Sequence, residues 1–126
     1  MSLSNQIISR PSHDGFYLPT EWCRHARTWL AWPGAASKAL PQTDSFKTDV
    51  EHNVKAAREF EPVTVLVCAG DRSEVYERCG RRVDVMDIAH CSARIRDTGP
   101  TFLIDVKGGS AAIDWMFVGW ASRAEN

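Results

Sequence analysis

Between Asp44 and Phe60 apolar side chains recur every third or fourth position (Phe46, Val50, Val54, Ala57, Phe60), the spacing of one face of an α-helix. Asp44 or Ser45 is placed to cap its start, and Pro62 stands just beyond its end. The period changes at Val63. From there to Cys68 nearly every residue is β-branched or apolar, which predicts a strand covered on both faces. Upstream, Thr28-Trp-Leu-Ala-Trp32 reads as a short strand ended by Pro33-Gly34, followed by a loop to Thr43. Ser73 is placed to cap a second, shorter helix that Gly80 closes after Cys79, and Val83 to Ile88 forms a further strand. Phe102, Ile104 and Val106 then alternate with Thr101, Leu103, Asp105 and Lys107. After Gly108-Gly109, a pair suited to a two-residue hairpin turn, Ala111, Ile113, Trp115 and Phe117 repeat the alternation. Residues 1 to 20, broken by Pro11, Gly15 and Pro19, predict an irregular arm. The order is β-α-β-α-β followed by a hairpin: an α/β fold.

Composition narrows the function classes. With 126 residues the chain has room for one domain, and 44% hydrophobic with 25% charged residues is the balance of a globular protein. Fifteen Lys plus Arg against sixteen Asp plus Glu leave a net charge of -1 and a pI near 6.4. That balance does not supply the basic surface that nucleic acid binding requires, so no nucleic acid partner is expected. The longest apolar run, around Val63 to Ala69, falls far short of the ~20 residues of a membrane helix, and the N-terminal residues do not follow the secretory pattern. The expectation is a cytoplasmic protein with no membrane partner.

Cys23, Cys68, Cys79 and Cys91 include no Cys-x-x-Cys pair, and His13, His25, His52 and His90 add no second ligand pair at zinc spacing. The thiols are read as reduced and incidental, with no metal and no cofactor expected. Cys91 beside His90 is not promoted to a catalytic dyad, because adjacent side chains on an extended segment point to opposite faces.

Two segments are richer than packing requires. Trp22, Trp29 and Trp32 lie close in sequence, and the indoles read as a structural cluster anchoring the arm rather than as ligand contacts. In Arg94-Ile-Arg-Asp-Thr-Gly-Pro100, at the loop that opens the hairpin, Asp97 can cap the turn, pair with Arg96, or face a site at the strand mouth.

These segments resemble the agmatine deiminase family, also called the Porphyromonas-type peptidyl-arginine deiminase family. Gly15-Phe-x-x-Pro-x-Glu-Trp-x-x-His-x-x-Thr-Trp-x-x-Trp-Pro33 is similar to the family's opening, Arg96-Asp-x-Gly-Pro-Thr101 to its next block, and Asp114-Trp115-x-Phe117 to the strand after it. The resemblance implies that residues 1–126 are a truncated N-terminal part of a single such domain. They would supply a partial sector, about one blade and some of the next, of a pentein-type five-bladed α/β propeller. It also implies a hydrolase that attacks a guanidinium carbon with a cysteine thiolate, releases ammonia and leaves a ureido product. Agmatine would yield N-carbamoylputrescine, towards putrescine and polyamines. Asp97 matches the family carboxylate that binds the substrate guanidinium, whose paired N–H donors suit a carboxylate's two oxygens. None of this chain's cysteines matches the family nucleophile. The nucleophile and the catalytic histidine are expected beyond residue 126, so no catalytic residue is assigned here.

The expected partner is a small guanidinium substrate, agmatine or arginine, with peptidyl arginine as an alternative. The resemblance departs at Cys91, Ser92 and Arg94, where the family pattern is Asn, Asp and Trp, and at Val118 and Ala121. These changes motivate a second reading, a non-catalytic α/β remnant or guanidinium-binding module. A lone sector also exposes apolar surface, which leaves self-association open.

Overall fold

The computed structural model describes residues 10–34, 43–89 and 94–115. It divides into two compact units, residues 24–98 and a second formed from residues 1–23 with 99–126.

The unit of residues 24–98 is a parallel sheet with two crossover helices. Strand β1 is Thr28–Ala31, helix α1 Thr43–Ala57, β2 Val63–Val67, α2 Arg72–Cys79 and β3 Asp84–Asp87. The order is β1-β2-β3, with Leu30 opposite Val65 and Val65 opposite Val85. Helical crossovers are what joining neighbouring parallel strands demands. Val63, Val65 and Val67 on one face of β2 meet Val54 of α1, Val75 and Cys79 of α2, Val83, and Trp32 just past β1. On the opposite face Thr64 is also buried, but it receives the Arg27 guanidinium at 2.5 Å, and Leu66 is only half-buried. The strand is covered on both faces, as expected, and one of the covers is a cation with an apolar stem.

Helix α1 turns inward the middle of the expected stripe, Val50, Val54 and Ala57, but not its two ends. Val54 is buried and Val50 and Ala57 half-buried, but Phe46 is 48% exposed and Phe60, past the helix end, 90%. Lys47 takes the inward place, since positions 47, 50, 54 and 57 lie on one face. Asp44 and Ser45 lie inside the helix rather than at its cap. In α2, Asp71 rather than Ser73 occupies the N-cap position, and its side chain makes no capping bond. Gly80 does close α2, with φ 79° and its N–H donating to the Tyr76 carbonyl.

The unit of residues 1–23 and 99–126 is built on an antiparallel hairpin, β4 Thr101–Ile104 and β5 Ser110–Ile113. Tyr17 bridges Ile104 on the other edge of β4 with two backbone bonds, 2.9 and 3.0 Å. Upstream of it Pro11–Asp14 forms a 3-10 turn, so the arm is less irregular than expected. The hairpin connection is not the two-residue Gly-Gly turn. Gly108 N–H donates to the Asp105 carbonyl at 3.3 Å and Asp105 N–H to the Gly109 carbonyl at 3.0 Å, with Gly108 alone at positive φ, 85°. That is a three-residue loop ending in a left-handed glycine bulge. Asp105 Oδ1 completes it by accepting the N–H groups of Lys107 (2.8 Å) and Gly109 (2.7 Å).

The alternation of β4 is inverted relative to expectation. Leu103 is 6% exposed and Phe102 is 56%. Leu103 faces Ala111 and Thr101 faces Ile113, so these four side chains share the inner side. Trp115 Nε1 donates to the Thr101 hydroxyl at 2.8 Å, closing the hairpin's open end.

Candidate functional site

The Arg96–Thr101 block is not the plain loop expected. Ile95–Thr98 is a single helical turn, α3, and β4 begins after Gly99-Pro100. Pro100 ends the turn because the residue before a proline is pushed out of the helical region. Asp97 sits within α3, exposed, with its N–H donating to the Arg94 carbonyl at 3.1 Å. The Thr98 hydroxyl donates to the same carbonyl at 3.2 Å, so residue 94 is held one turn behind Asp97. Arg94 and Arg96 are exposed as well. Residues 90–93, including His90, Cys91 and Ser92, lie outside the described residues, as do Phe117, Val118 and Ala121.

The Gly15–Pro33 segment divides between the two units. Gly15, at φ 83°, ends the 3-10 turn, and the Thr20 hydroxyl and Cys23 Sγ lie 3.1 Å apart. Trp22 is 86% exposed. In the other unit His25 Nδ1 lies 3.5 Å from the Glu61 carboxylate, which also accepts a hydrogen bond from the Thr28 hydroxyl. That hydroxyl bond, with His25 adding to it, holds Glu61 below the usual carboxylate range. The Thr28 N–H donates to the Pro62 carbonyl at 2.9 Å. His25 and Thr28 therefore dock the start of β1 onto the turn entering β2, a structural use of both residues.

The expected tryptophan cluster resolves into separate roles. Trp32 is fully buried in the core and Trp29 carries Arg27 over its ring at 5.7 Å. Trp32 Nε1 points to Glu74 at 3.4 Å. Glu74 receives the Lys47 ammonium on both oxygens, at 2.7 and 2.6 Å, and Lys47 lies over the Trp32 ring at 5.9 Å. Arg78 adds a contact to Glu74 at 3.5 Å and also pairs with Asp44 and Glu51. Lys47 and Glu74 carried no warning in the sequence except one: a lysine on the apolar stripe of α1, facing a glutamate on the next helix.

Cys23 is exposed, Cys68 half-buried and Cys79 buried, where burial pushes the Cys79 thiol up from its ordinary pKa. A thiol so placed is a poor nucleophile. Among the described residues no three His, Cys, Asp or Glu side chains are grouped to hold a metal ion. No helix among them is long and apolar enough to cross a membrane.

The parallel β-α-β sheet followed by a hairpin, with a carboxylate on the turn between them, has a counterpart. Residues 17–126 match the sequence profile of the Porphyromonas-type peptidyl-arginine deiminases, and the chain belongs to that family. Two curated relatives are agmatine deiminases. That of Stutzerimonas stutzeri is 35% identical over 120 residues, covering 93% of this chain and 32% of the relative. That of Pseudomonas aeruginosa is 38% identical over 117 residues, covering 89% of this chain and 31% of the relative. The solved agmatine deiminase of Enterococcus faecalis superposes with a TM-score of 0.82 at 25% identity, over 90% of this chain and 31% of that one. The chain thus spans about a third of the length of the relatives it matches. Its fold is the α/β class expected, a partial sector of the pentein architecture.

Proposed function

We propose that this chain carries the guanidinium-binding carboxylate of an agmatine-deiminase-type hydrolase, with Asp97 in that role. One observation supports it above the others: the similarity to agmatine deiminases runs through the whole block that holds Asp97, over 93% of the chain at 35% identity. Exposure of Asp97 on a short turn leaves its two oxygens able to accept the parallel N–H donors of a planar guanidinium. The reaction is hydrolysis. A thiolate adds to the guanidinium carbon and ammonia leaves. Water then releases the ureido product, N-carbamoylputrescine when agmatine is the substrate. A carboxylate at Asp97 stabilises the cation and orients its carbon for attack.

The nucleophile is not among the described cysteines on this reading. Cys79 is buried with a raised pKa, and Cys23 is engaged by the Thr20 hydroxyl. The purified 126-residue chain is therefore expected to bind a guanidinium ligand through Asp97 but to release no ammonia from agmatine. Calorimetric titration, with Asp97→Asn as the control, tests the first part and an ammonia assay the second. Binding indifferent to Asp97→Asn would remove the proposed role, and turnover at an ordinary enzymatic rate would show that a nucleophile is present after all.

The departure at Arg94 favours a second reading, a guanidinium-binding module without chemistry. Lengthening the chain with the remaining two thirds of a relative separates the two: restored turnover supports the enzyme, while binding without turnover supports the module.

A further inference from the structure

Strand β5 is a sheet edge without a guard. Among the described residues it pairs with β4 alone, and Ser110-Ala-Ala-Ile113 holds no charge and no proline. The direction of its free bonding groups follows from the hairpin. Asp105 N–H is bonded to the Gly109 carbonyl at the loop end, while Ile104 exchanges both its backbone bonds with Tyr17 on the far side of β4. Alternation along an antiparallel pair then turns the N–H and C=O groups of Ala111 and Ile113 towards β4. Those of Ser110 and Ala112 face outward, to the open edge.

We propose that a second copy of this chain pairs with β5 through its own β5, antiparallel about a two-fold axis at Ala111, joining two hairpins into one sheet. In that register Ser110 meets Ala112 of the second copy, and the reverse, each pair exchanging both backbone bonds. A slip of one residue is disfavoured, because it would set the side of Phe102 against the side of Leu103. Phe102 and Tyr17, 56% and 48% exposed, share the side of Ser110 and Ala112. Those two residues are small, so Phe102 can lie across them towards the neighbouring hairpin, one strand spacing of about 4.8 Å away. Charge fits the same sense of pairing. Lys107, in the loop at one end of β5, and Asp114, just past the other end, are both exposed. Antiparallel pairing sets the Lys107 end of each copy beside the Asp114 end of the other, whereas a parallel arrangement would set like charges together. The axis uses up both open edges, so the assembly closes at two copies.

The test is sedimentation equilibrium of the 126-residue chain over a concentration series at low salt, where a monomer–dimer equilibrium is expected. Ala112→Pro removes an outward N–H and leaves the bonds between β4 and β5 in place. It should abolish the dimer with far-ultraviolet circular dichroism unchanged. Lys107→Glu turns attraction into repulsion at both ends of the joined strands and should weaken the dimer roughly ten-fold. Adding Asp114→Lys to that variant should restore it. Should Ala112→Pro alter the circular dichroism, the charge reversal and its rescue decide alone. A monomeric parent, association that survives Ala112→Pro in a folded chain, or indifference to Lys107→Glu overturns the proposal. So does a loss that Asp114→Lys fails to rescue.

Discussion

Lys47 is the residue whose placement runs most against its chemistry. Only 8% of it is exposed, yet it carries a full charge on the inner stripe of α1. What makes this tolerable is Glu74, which takes the ammonium on both oxygens, with the Trp32 ring face nearby. A buried charge held by a half-buried partner is asymmetric to mutation. Glu74→Ala strands the ammonium and is expected to cost about 1–3 kcal/mol. Lys47→Met removes the charge that needs a partner, keeps the stem volume, and leaves Glu74 its contacts to Arg78 and Trp32. It should cost less than Glu74→Ala, and urea unfolding of the two variants ranks them.

Glu61 makes the residue-level case for pH. The Thr28 hydroxyl and then His25 depress its pKa from 4.5 in the folded chain. Because the folded value lies below the unfolded one, this contribution is present above the ordinary carboxylate range. It is lost as pH falls through the depressed value. Glu51, depressed by its bond from Lys55, behaves in the same sense. The acid limb of the stability profile should therefore be shallower in Thr28→Val than in the parent. Identical limbs would mean that the hydroxyl bond does not carry the shift.

At the scale of elements, the hairpin loop shows how a local motif can be right in kind and different in detail. Gly-Gly at 108–109 marks a turn, and a hairpin is there. Yet Asp105 competes for the backbone N–H groups of Lys107 and Gly109 and draws the turn back towards itself. Gly108 is the position that needs glycine, with φ 85°, while a Cβ on Gly109 would stand 2.7 Å from Asp105 Oδ2. Gly108→Ala is expected to lose about 1–2 kcal/mol through left-handed strain. Gly109→Ala should instead displace the Asp105 carboxylate. Amide hydrogen exchange checks both: accelerated exchange across β4 and β5 for Gly108→Ala, and loss of protection at Lys107 for Gly109→Ala.

The helices teach the same lesson through their stripes. The existence of α1 and α2 was legible in the 3–4 spacing and in Gly80. The inward face of α1 was legible at Val50, Val54 and Ala57 but not at its first turn, because Phe46 and Lys47 are neighbours and hydrophobicity alone assigns the core to the phenylalanine. Only α2, by supplying Glu74 opposite Lys47, decides otherwise. In β4 Phe102 and Leu103 pose the same choice. A two-stranded hairpin has two apolar faces here, and pairing with Ala111 and Ile113 selects Leu103.

For the molecule as a whole, the two sheets treat their edges differently. On β3, Arg72 reaches from α2 to the Val85 carbonyl at 2.9 Å and pairs with Asp87, a charged guard against strand addition. Among the described residues β5 pairs with β4 alone, and Phe102, Val106 and Trp115 are 56%, 87% and 58% exposed. Exposed apolar side chains of this size favour association. Sedimentation over a concentration series is expected to show self-association of the 126-residue chain that Phe102→Lys reduces. A monomer throughout, in parent and variant alike, would show that these side chains do not drive contacts.

Sequence alone determined the β-α-β-α-β order and the family, because periodicity and motif spacing are local properties of the chain. It also singled out Asp97 from its Gly-Pro neighbourhood, without showing that residues 95–98 close a helical turn that places Arg94 behind it. That Lys47 rather than Phe46 and Leu103 rather than Phe102 face inward, that Glu61 and Glu74 are the partners of His25, Thr28 and Lys47, and how the hairpin loop closes were decided only by tertiary structure. Each depends on a side chain distant in the chain, or on competition for one hydrogen bond, and neither leaves a periodic mark in the residues that undergo it.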